Sequence, residues 1–186
     1  MTSIHVRAHY GWPLIGLHWL TFLLIAVVYA TAELSDAFPK GSAARSGVRA
    51  AHEMLGLLVL ALVGLRIAAR LFSAVPAVVP APPRWQERLA SAAHLALYGL
   101  MILLPLVGWL MLSAAGKPVP FFAWELPPLL APSRSLAKIL EEVHEAVASV
   151  GYALIGLHAA AALFHHYVVR DNTLRRMLPG NLSALR

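Results

Sequence analysis

The fold is decided by residues 144–158, HEAVASVGYALIGLH, an apolar stretch that carries a histidine at each end. In a helix with a rise of about 1.5 Å and a turn of about 100° per residue, 14 steps put the two imidazoles about 21 Å apart and within roughly 40° of the same face. An ionisable or metal-binding side chain in hydrocarbon is costly, so it is a functional hypothesis by default. A helix of this kind can hold two metal centres at different depths of a membrane.

The composition is that of a membrane protein. Of the 186 residues, 59% are apolar and only 13% are charged, and the mean hydropathy of +0.68 is far above that of soluble proteins. The absence of cysteine excludes disulfides, thiolate iron-sulfur ligation and thiol catalysis, so any metal must be bound by histidine, carboxylate or methionine. We expect residues 1–186 to form a single transmembrane domain, with no separate soluble catalytic domain.

Four apolar stretches are long enough to cross about 30 Å of hydrocarbon as helices. They run over residues 14–32, 52–72, 89–112 and 139–169, approximately. This pattern predicts an all-α, integral membrane four-helix bundle with up-down-up-down topology. A cleaved signal peptide is a competing interpretation of the first 32 residues, although the apolar run is long for a signal core.

The distribution of basic residues predicts the orientation. Nine Lys and Arg flank the side that carries both termini and six flank the other side, which places both termini in the cytoplasm. Because these residues border apolar segments, the net charge of +6 indicates contacts with lipid headgroups and not with nucleic acid. The outer connections carry Lys40, Arg45, Arg49 and Lys117, a basic rim that would attract a small anion. Headgroup binding or docking of a partner protein explains this rim as well.

The outer histidines are expected to form a pair. Two hemes held by two histidines each would need four intramembrane imidazoles, paired by depth. His52 and His144 both open their helices on the outer side, so they can meet. A second heme would then lie further in, at the depth of His158.

The inner pairing leaves alternatives open. His158 is expected to pair with His18, the natural partner in the inner half of the first helix. His165 fits the depth of His18 better, but it would lie about 31 Å from His144, a gap that hinders electron transfer. His94 is a further ligand candidate. Otherwise His94, His165 and Arg70 are nominated for hydrogen bonds to a quinone or a heme propionate.

Several motifs resemble those of the bacterial cytochrome b561 family, in particular its superoxide oxidase branch. The matching segments are 17–20 (LHWL), His52, 94–95 (HL), 144–145 (HE), 151–152 (GY), 156–163 (GLHAAAAL), 165–167 (HHY) and 171–174 (DNTL) with 176–177 (RM). The resemblance implies two b-type hemes, ubiquinone as electron acceptor and a location in the bacterial inner membrane. Carried over by position, the heme ligands are His18, His52, His144 and His158.

On this interpretation the protein transfers electrons from superoxide to ubiquinone and releases molecular oxygen, with no catalytic residue beyond the hemes. An alternative is an electron-transfer subunit that links a partner dehydrogenase or hydrogenase to the quinone pool. A third class, a histidine-lined transporter of metal ions or protons, would contain no heme.

Overall fold

The computed structural model describes residues 9–179 and contains four long helices. They are α1 (Trp12–Asp36), α2 (Ala43–Leu71), α3 (Arg84–Ala114) and α4 (Arg134–Phe164). Each is long and apolar enough to cross a membrane. The predicted all-α, four-helix membrane bundle is confirmed.

Helices that follow each other in the chain pack side by side, and the pairs α1–α2 and α3–α4 have the most extensive contacts. The start of α1 and the end of α4 lie at the same end of the bundle, where the Trp19 indole N–H donates to the carbonyl of Met177 at 2.8 Å. We call this end the inner end and the opposite one the outer end. Successive helices therefore run in alternating directions.

All four helices begin before the apolar stretches that predicted them, and in α2, α3 and α4 the additional first turns contain polar residues. The α2 helix begins at Ala43, where the hydroxyl of Ser42 accepts a hydrogen bond from the backbone N–H of Arg45 at 3.2 Å. His52 therefore lies more than two turns inside α2. His144 likewise lies more than two turns inside α4, so neither histidine opens its helix as the sequence predicted. The hydroxyl of Ser133 caps α4 in the same way.

A β-hairpin that was not predicted lies at the outer end, between α3 and α4. Its antiparallel strands are β1 (Val119–Phe121) and β2 (Trp124–Leu126). Val119 is only 1% exposed and packs against Leu57 of α2 and Leu112 of α3. The hairpin thus closes one side of the outer end of the bundle.

The chain after α4 closes the inner end. Residues 165–169 form a π-helical turn, and Arg170 reverses the chain direction with a φ of 60°. Residues 171–177, which we call the C-terminal clasp, then fold back onto α1 and onto the connection between α2 and α3. Within the clasp, the side chain of Asn172 hydrogen-bonds the backbone of Ala77 and Val79. Because the chain folds back only after the π-helical turn, α4 can extend past the level at which α1 begins. His158 and His18 can therefore lie at one level.

Many large apolar side chains face outward in the middle of the helices. Leu103, Val150 and Leu157 are between 57% and 67% exposed. The buried core between the helices is small and includes Val63 and Met101. Outward apolar surface at mid-helix is what a lipid environment requires.

Candidate functional site

The outer half of the bundle contains one pair of imidazoles. His52 lies nine residues after the start of α2 and His144 ten residues after the start of α4, so the two rings reach the same level. Their ring centroids are 6.3 Å apart, with an angle of 74° between the ring planes. A metal ion about 2 Å from each of two imidazoles holds the ligating nitrogens about 4 Å apart, and the ring centroids lie further back. The observed spacing would allow both imidazoles to bind one metal ion.

Contacts behind the two rings orient them. Nδ1 of His52 lies 3.0 Å from the carbonyl oxygen of Val28 and donates to it as N–H, which leaves Nε2 with its lone pair. The ring of His144 packs against Gly108, where an added Cβ would come within 3.5 Å of Cε1. Nδ1 of His144 is buried and has no hydrogen-bond partner among the described residues. With Nε2 on a metal, Nδ1 would carry the proton and face the nearby backbone carbonyl of Leu104.

Two cavities, of about 270 and 50 Å³, lie beside the outer pair. Both are lined largely by apolar residues, and four residues line both of them: His52, Gly56, Pro105 and His144. The imidazole pair therefore stands in a slot that extends to two sides. This shape suits a flat ring that is held at its centre from both faces.

The inner half brings three histidines together, one each from α1, α3 and α4. The ring centroids of His18 and His158 are 6.4 Å apart at 73°, nearly the geometry of the outer pair. His94 lies 5.5 Å from His158, but it is exposed, whereas His18 and His158 are half-buried. Nδ1 of His18 is also buried without a hydrogen-bond partner in the described part of the chain. Spacing and burial favour His18 with His158 as the metal-binding pair, and His94 lies beside them.

The donor set fits iron in a porphyrin. Within residues 9–179, no group of three or more His, Asp or Glu side chains is arranged to hold a bare metal ion. Each imidazole pair supplies only two ligands, so a metal bound there needs its other ligands from elsewhere. The four ring nitrogens of a heme would supply them, and two histidines would complete the coordination of the iron.

Comparison with known proteins identifies the family. A family model described as prokaryotic cytochrome b561 matches residues 9–180. The chain belongs to the prokaryotic cytochrome b561 family. Membership in the cytochrome b561 family implies heme b and a role in electron transport, in a protein that crosses the membrane several times.

The relatives in the cytochrome b561 family match along most of their length. "Cytochrome b561 homolog 1" of Escherichia coli (strain K12) is 40% identical over 165 residues, which are 89% of this chain and 94% of that protein. The "probable superoxide oxidase CybB" of Yersinia pestis is 36% identical over 165 residues, which are 89% of this chain and 93% of that protein. "Cytochrome b562" of Cereibacter sphaeroides is 30% identical over 170 residues, which are 88% and 91% of the two chains.

His165, a candidate ligand by sequence, has a different partner in this cytochrome b561 family member. Its Nδ1 is hydrogen-bonded to the carboxylate of Asp171, whose side chain is 1% exposed. Burial raises the pKa of Asp171, but the hydrogen bonds from His165 and Thr173 outweigh it and hold the pKa below its ordinary value. The pair stands beyond the inner histidine cluster. Asp171 opens the matching segment 171–174, but no sequence pattern predicts its pairing with His165.

Arg70 belongs to a cluster of cations at the inner end. Its guanidinium lies 5.8 Å from the ring centroid of Tyr10, and that of Arg176 lies 5.6 Å from the same ring. Arg66 stacks on Tyr98 at 5.6 Å. Arg66 and Arg70 lie four residues apart on the last turns of α2, which the sequence predicts, but nothing in the sequence brings Arg176 to them.

The outer basic residues divide into two groups. Arg45 forms a salt bridge with Asp36 and donates to the carbonyl of Phe38, so it ties α1 to α2 and its charge is compensated. The other three residues of the predicted rim, Lys40, Arg49 and Lys117, are exposed. Arg49 and Lys117 are close enough to Glu53 for their charges to interact, and Glu53 lines the smaller cavity.

Proposed function

We propose that this protein is a diheme b-type cytochrome that transfers electrons from superoxide at its outer end to ubiquinone at its inner end. The observation that carries this proposal is the presence of two imidazole pairs with nearly equal ring spacing, 6.3 and 6.4 Å, at two levels of one membrane bundle. His52 and His144 would hold one heme, and His18 and His158 the other. Heme b, when bound, supplies one-electron redox chemistry.

The histidine pairs also restrict the kind of chemistry. If each histidine pair held a heme, its two imidazoles would be the ligands that the chain supplies to the iron, and the heme would supply electron transfer and not a binding position for superoxide or oxygen. Superoxide would then give up its electron by outer-sphere transfer at the outer end and leave as molecular oxygen. Two superoxide ions supply the two electrons that reduce one ubiquinone to ubiquinol, with the uptake of two protons.

Positive charge at the outer end would attract superoxide to the protein. The exposed side chains of Lys40, Arg49 and Lys117 form a positive rim there, and such a rim raises the local concentration of a small anion and its encounter rate. Arg45 is left out of this role because Asp36 compensates its charge. The effect of the rim must weaken as salt screens it.

The inner end would bind the quinone and supply its protons. His94, His165 and Arg70 remain the candidates for quinone contacts. His165 is the candidate for moving a proton, because its Nδ1 is hydrogen-bonded to a nearly inaccessible carboxylate, that of Asp171. With this orientation, the protein belongs in the bacterial inner membrane with its outer end facing the periplasm.

The test is rapid mixing of the purified protein with superoxide while the absorbance of heme b is followed. We expect fast heme reduction that slows as the ionic strength rises. Replacing Arg49 and Lys117 by Glu should slow the reaction several-fold at low salt, with little difference from wild type at high salt.

The matched control is Arg175→Glu, which changes the charge of an exposed residue at the opposite end. It should leave the rate of superoxide oxidation unchanged. A slow and salt-insensitive reaction of a protein with two hemes would contradict the proposal. The electron donor would then be a partner protein, and the role would be that of an electron-transfer subunit for a dehydrogenase or hydrogenase. A protein without the heme b spectrum would contradict both.

A further inference from the structure

Three arginines converge at the inner end, and no carboxylate of residues 9–179 forms a salt bridge with them. Arg70 and Arg176 both lie over the ring of Tyr10, and Arg66, Arg70 and Arg176 are all close enough to His94 for their charges to reach its imidazole. Stacking on aromatic rings offsets only part of the cost of gathering three cations at a membrane boundary.

Arg176 has unused capacity for hydrogen bonding. One of its terminal nitrogens donates to the carbonyl of Pro76, which fixes the side chain in place. Its Nε is buried and has no partner among the described residues. Because a guanidinium carries several donors in a planar fork, this arrangement suits a carboxylate or phosphate group.

We propose that Arg66, Arg70 and Arg176 form a binding site for an anionic group that presents carboxylate or phosphate oxygens. The inference rests on the proposed function, because the nearest source of such oxygens is the pair of propionates of the heme between His18 and His158. Arg66 is close enough to both of these histidines for its charge to act on them. Propionates avoid hydrocarbon, so they would point towards this end of the bundle.

The site is assembled from separate parts of the chain. Arg66 and Arg70 come from α2, Arg176 comes from the C-terminal clasp, and Tyr10 precedes α1. The backbone N–H of Tyr10 donates to the carbonyl of Arg176 at 3.1 Å, so the clasp and the start of the chain are joined at the site. An anion bound here would hold the clasp closed over the inner heme.

The experiment is a redox titration of the holoprotein and its variants, together with measurement of heme and phosphorus content. Arg176→Gln and Arg66→Gln should each lower the midpoint potential of one heme and leave the other unchanged, because a nearby cation stabilises the reduced form. A tenfold loss of preference for the reduced form corresponds to about 59 mV for a one-electron couple. The matched control Arg175→Gln, at an exposed neighbouring position, should change neither potential.

The same samples show whether heme propionates or phosphate groups supply the anionic oxygens. If the propionates occupy the site, one potential shifts and the phosphorus content of the protein does not change. If phosphate or a lipid headgroup occupies it, Arg176→Gln loses bound phosphorus that Arg175→Gln retains. If neither potential nor the phosphorus content changes in Arg176→Gln and Arg66→Gln, the anion site does not exist.

Failure of the proposed function gives a different result, because it is seen in the wild-type protein as missing heme or as inertness towards superoxide. Retention of the unshifted heme shows that each arginine variant is folded. If Arg176→Gln unfolds, Arg66→Gln still tests the site, since Arg66 lies within α2 and stacks on Tyr98 of α3.

Discussion

At the scale of single residues, the packing at Gly151 leaves no room for a side chain. A Cβ at this position would overlap the hydroxyl of Tyr29 and come within 3.1 Å of Leu100 Cδ2. The same hydroxyl donates to the carbonyl of Ala148 at 3.0 Å, which holds α1 against α4. Gly151 thus allows a close side-chain contact midway between the two histidine pairs.

Gly151→Ala should destabilise the protein by about 1–3 kcal/mol, because the added methyl group overpacks the contact with Tyr29 and Leu100. Tyr29→Phe should cost about 1 kcal/mol through loss of its hydrogen bond. In the Tyr29→Phe background, Gly151→Ala should cost less than it does in wild type. Thermal unfolding in detergent measures all three variants.

The matched control for this cycle is Gly156→Ala in the same helix, where an added Cβ has nothing within 4 Å. It should be neutral, or stabilising by up to about 1 kcal/mol, because alanine favours the helix. Strict additivity of Gly151→Ala and Tyr29→Phe would contradict the contact.

At the scale of elements, the π-helical turn is fastened to the C-terminal clasp by the pair of His165 and Asp171. Because the pKa of Asp171 is lower in the folded protein than in the unfolded chain, its carboxylate contributes stability above its ordinary pKa of 3.8. That contribution is lost as the pH falls through the lower, folded-state pKa.

Asp171→Asn should therefore lower the thermal midpoint near neutral pH, and the difference from wild type should shrink as the pH falls below 3.8. The thermal midpoint measured over a pH series in detergent checks this. Asp36→Asn is the control, because the side chain of Asp36 is 76% exposed; it should lower the thermal midpoint less than Asp171→Asn does. A difference that stays constant down to the lowest pH would show that Asp171 acts through packing and not through its charge.

Elements differ in how far the sequence predicts them. The histidines of α4 lie on one face because helix geometry is local, and the apolar runs of four helices are unambiguous. The pairing of His18 with His158 depends on how far α4 extends past α1, which the π-helical turn and the clasp decide. Arg176 contacts Tyr10, which lies far from it in the sequence, so no sequence periodicity could predict this contact.

The hairpin was missed for a related reason. Its strands are three residues each, shorter than any window over which alternation can be recognised, and Pro120 lies within β1. Its position follows from the burial of Val119 between α2 and α3, which is a tertiary contact. The local β propensity of the sequence therefore gave little indication of this hairpin.

At the scale of the whole molecule, the proposed function gives separate tasks to the outer and inner halves of the bundle, one for each histidine pair. His52→Ala should leave a protein with one heme that ubiquinol reduces but superoxide reduces slowly. His18→Ala should leave a protein with one heme that superoxide reduces at the wild-type rate, without formation of ubiquinol. Heme content and rapid-mixing absorbance measure both variants.

His94→Ala and His165→Ala are the controls for heme content in this comparison, and both should retain two hemes. Loss of heme from His94→Ala together with its retention in His18→Ala would assign the inner ligand to α3. Equal loss of both reactions in His52→Ala and His18→Ala would contradict the division into halves.

The continuity of α4 from His144 to His158 has a consequence for electron tunnelling. Because one unbroken helix carries a histidine of each pair, the distance between the two proposed hemes would be set by covalent geometry and backbone hydrogen bonds, and not by packing between helices. Motions of the helices in the bilayer would leave the spacing of His144 and His158 along α4 unchanged. The rate of transfer across the membrane should therefore be insensitive to lipid thickness and fluidity.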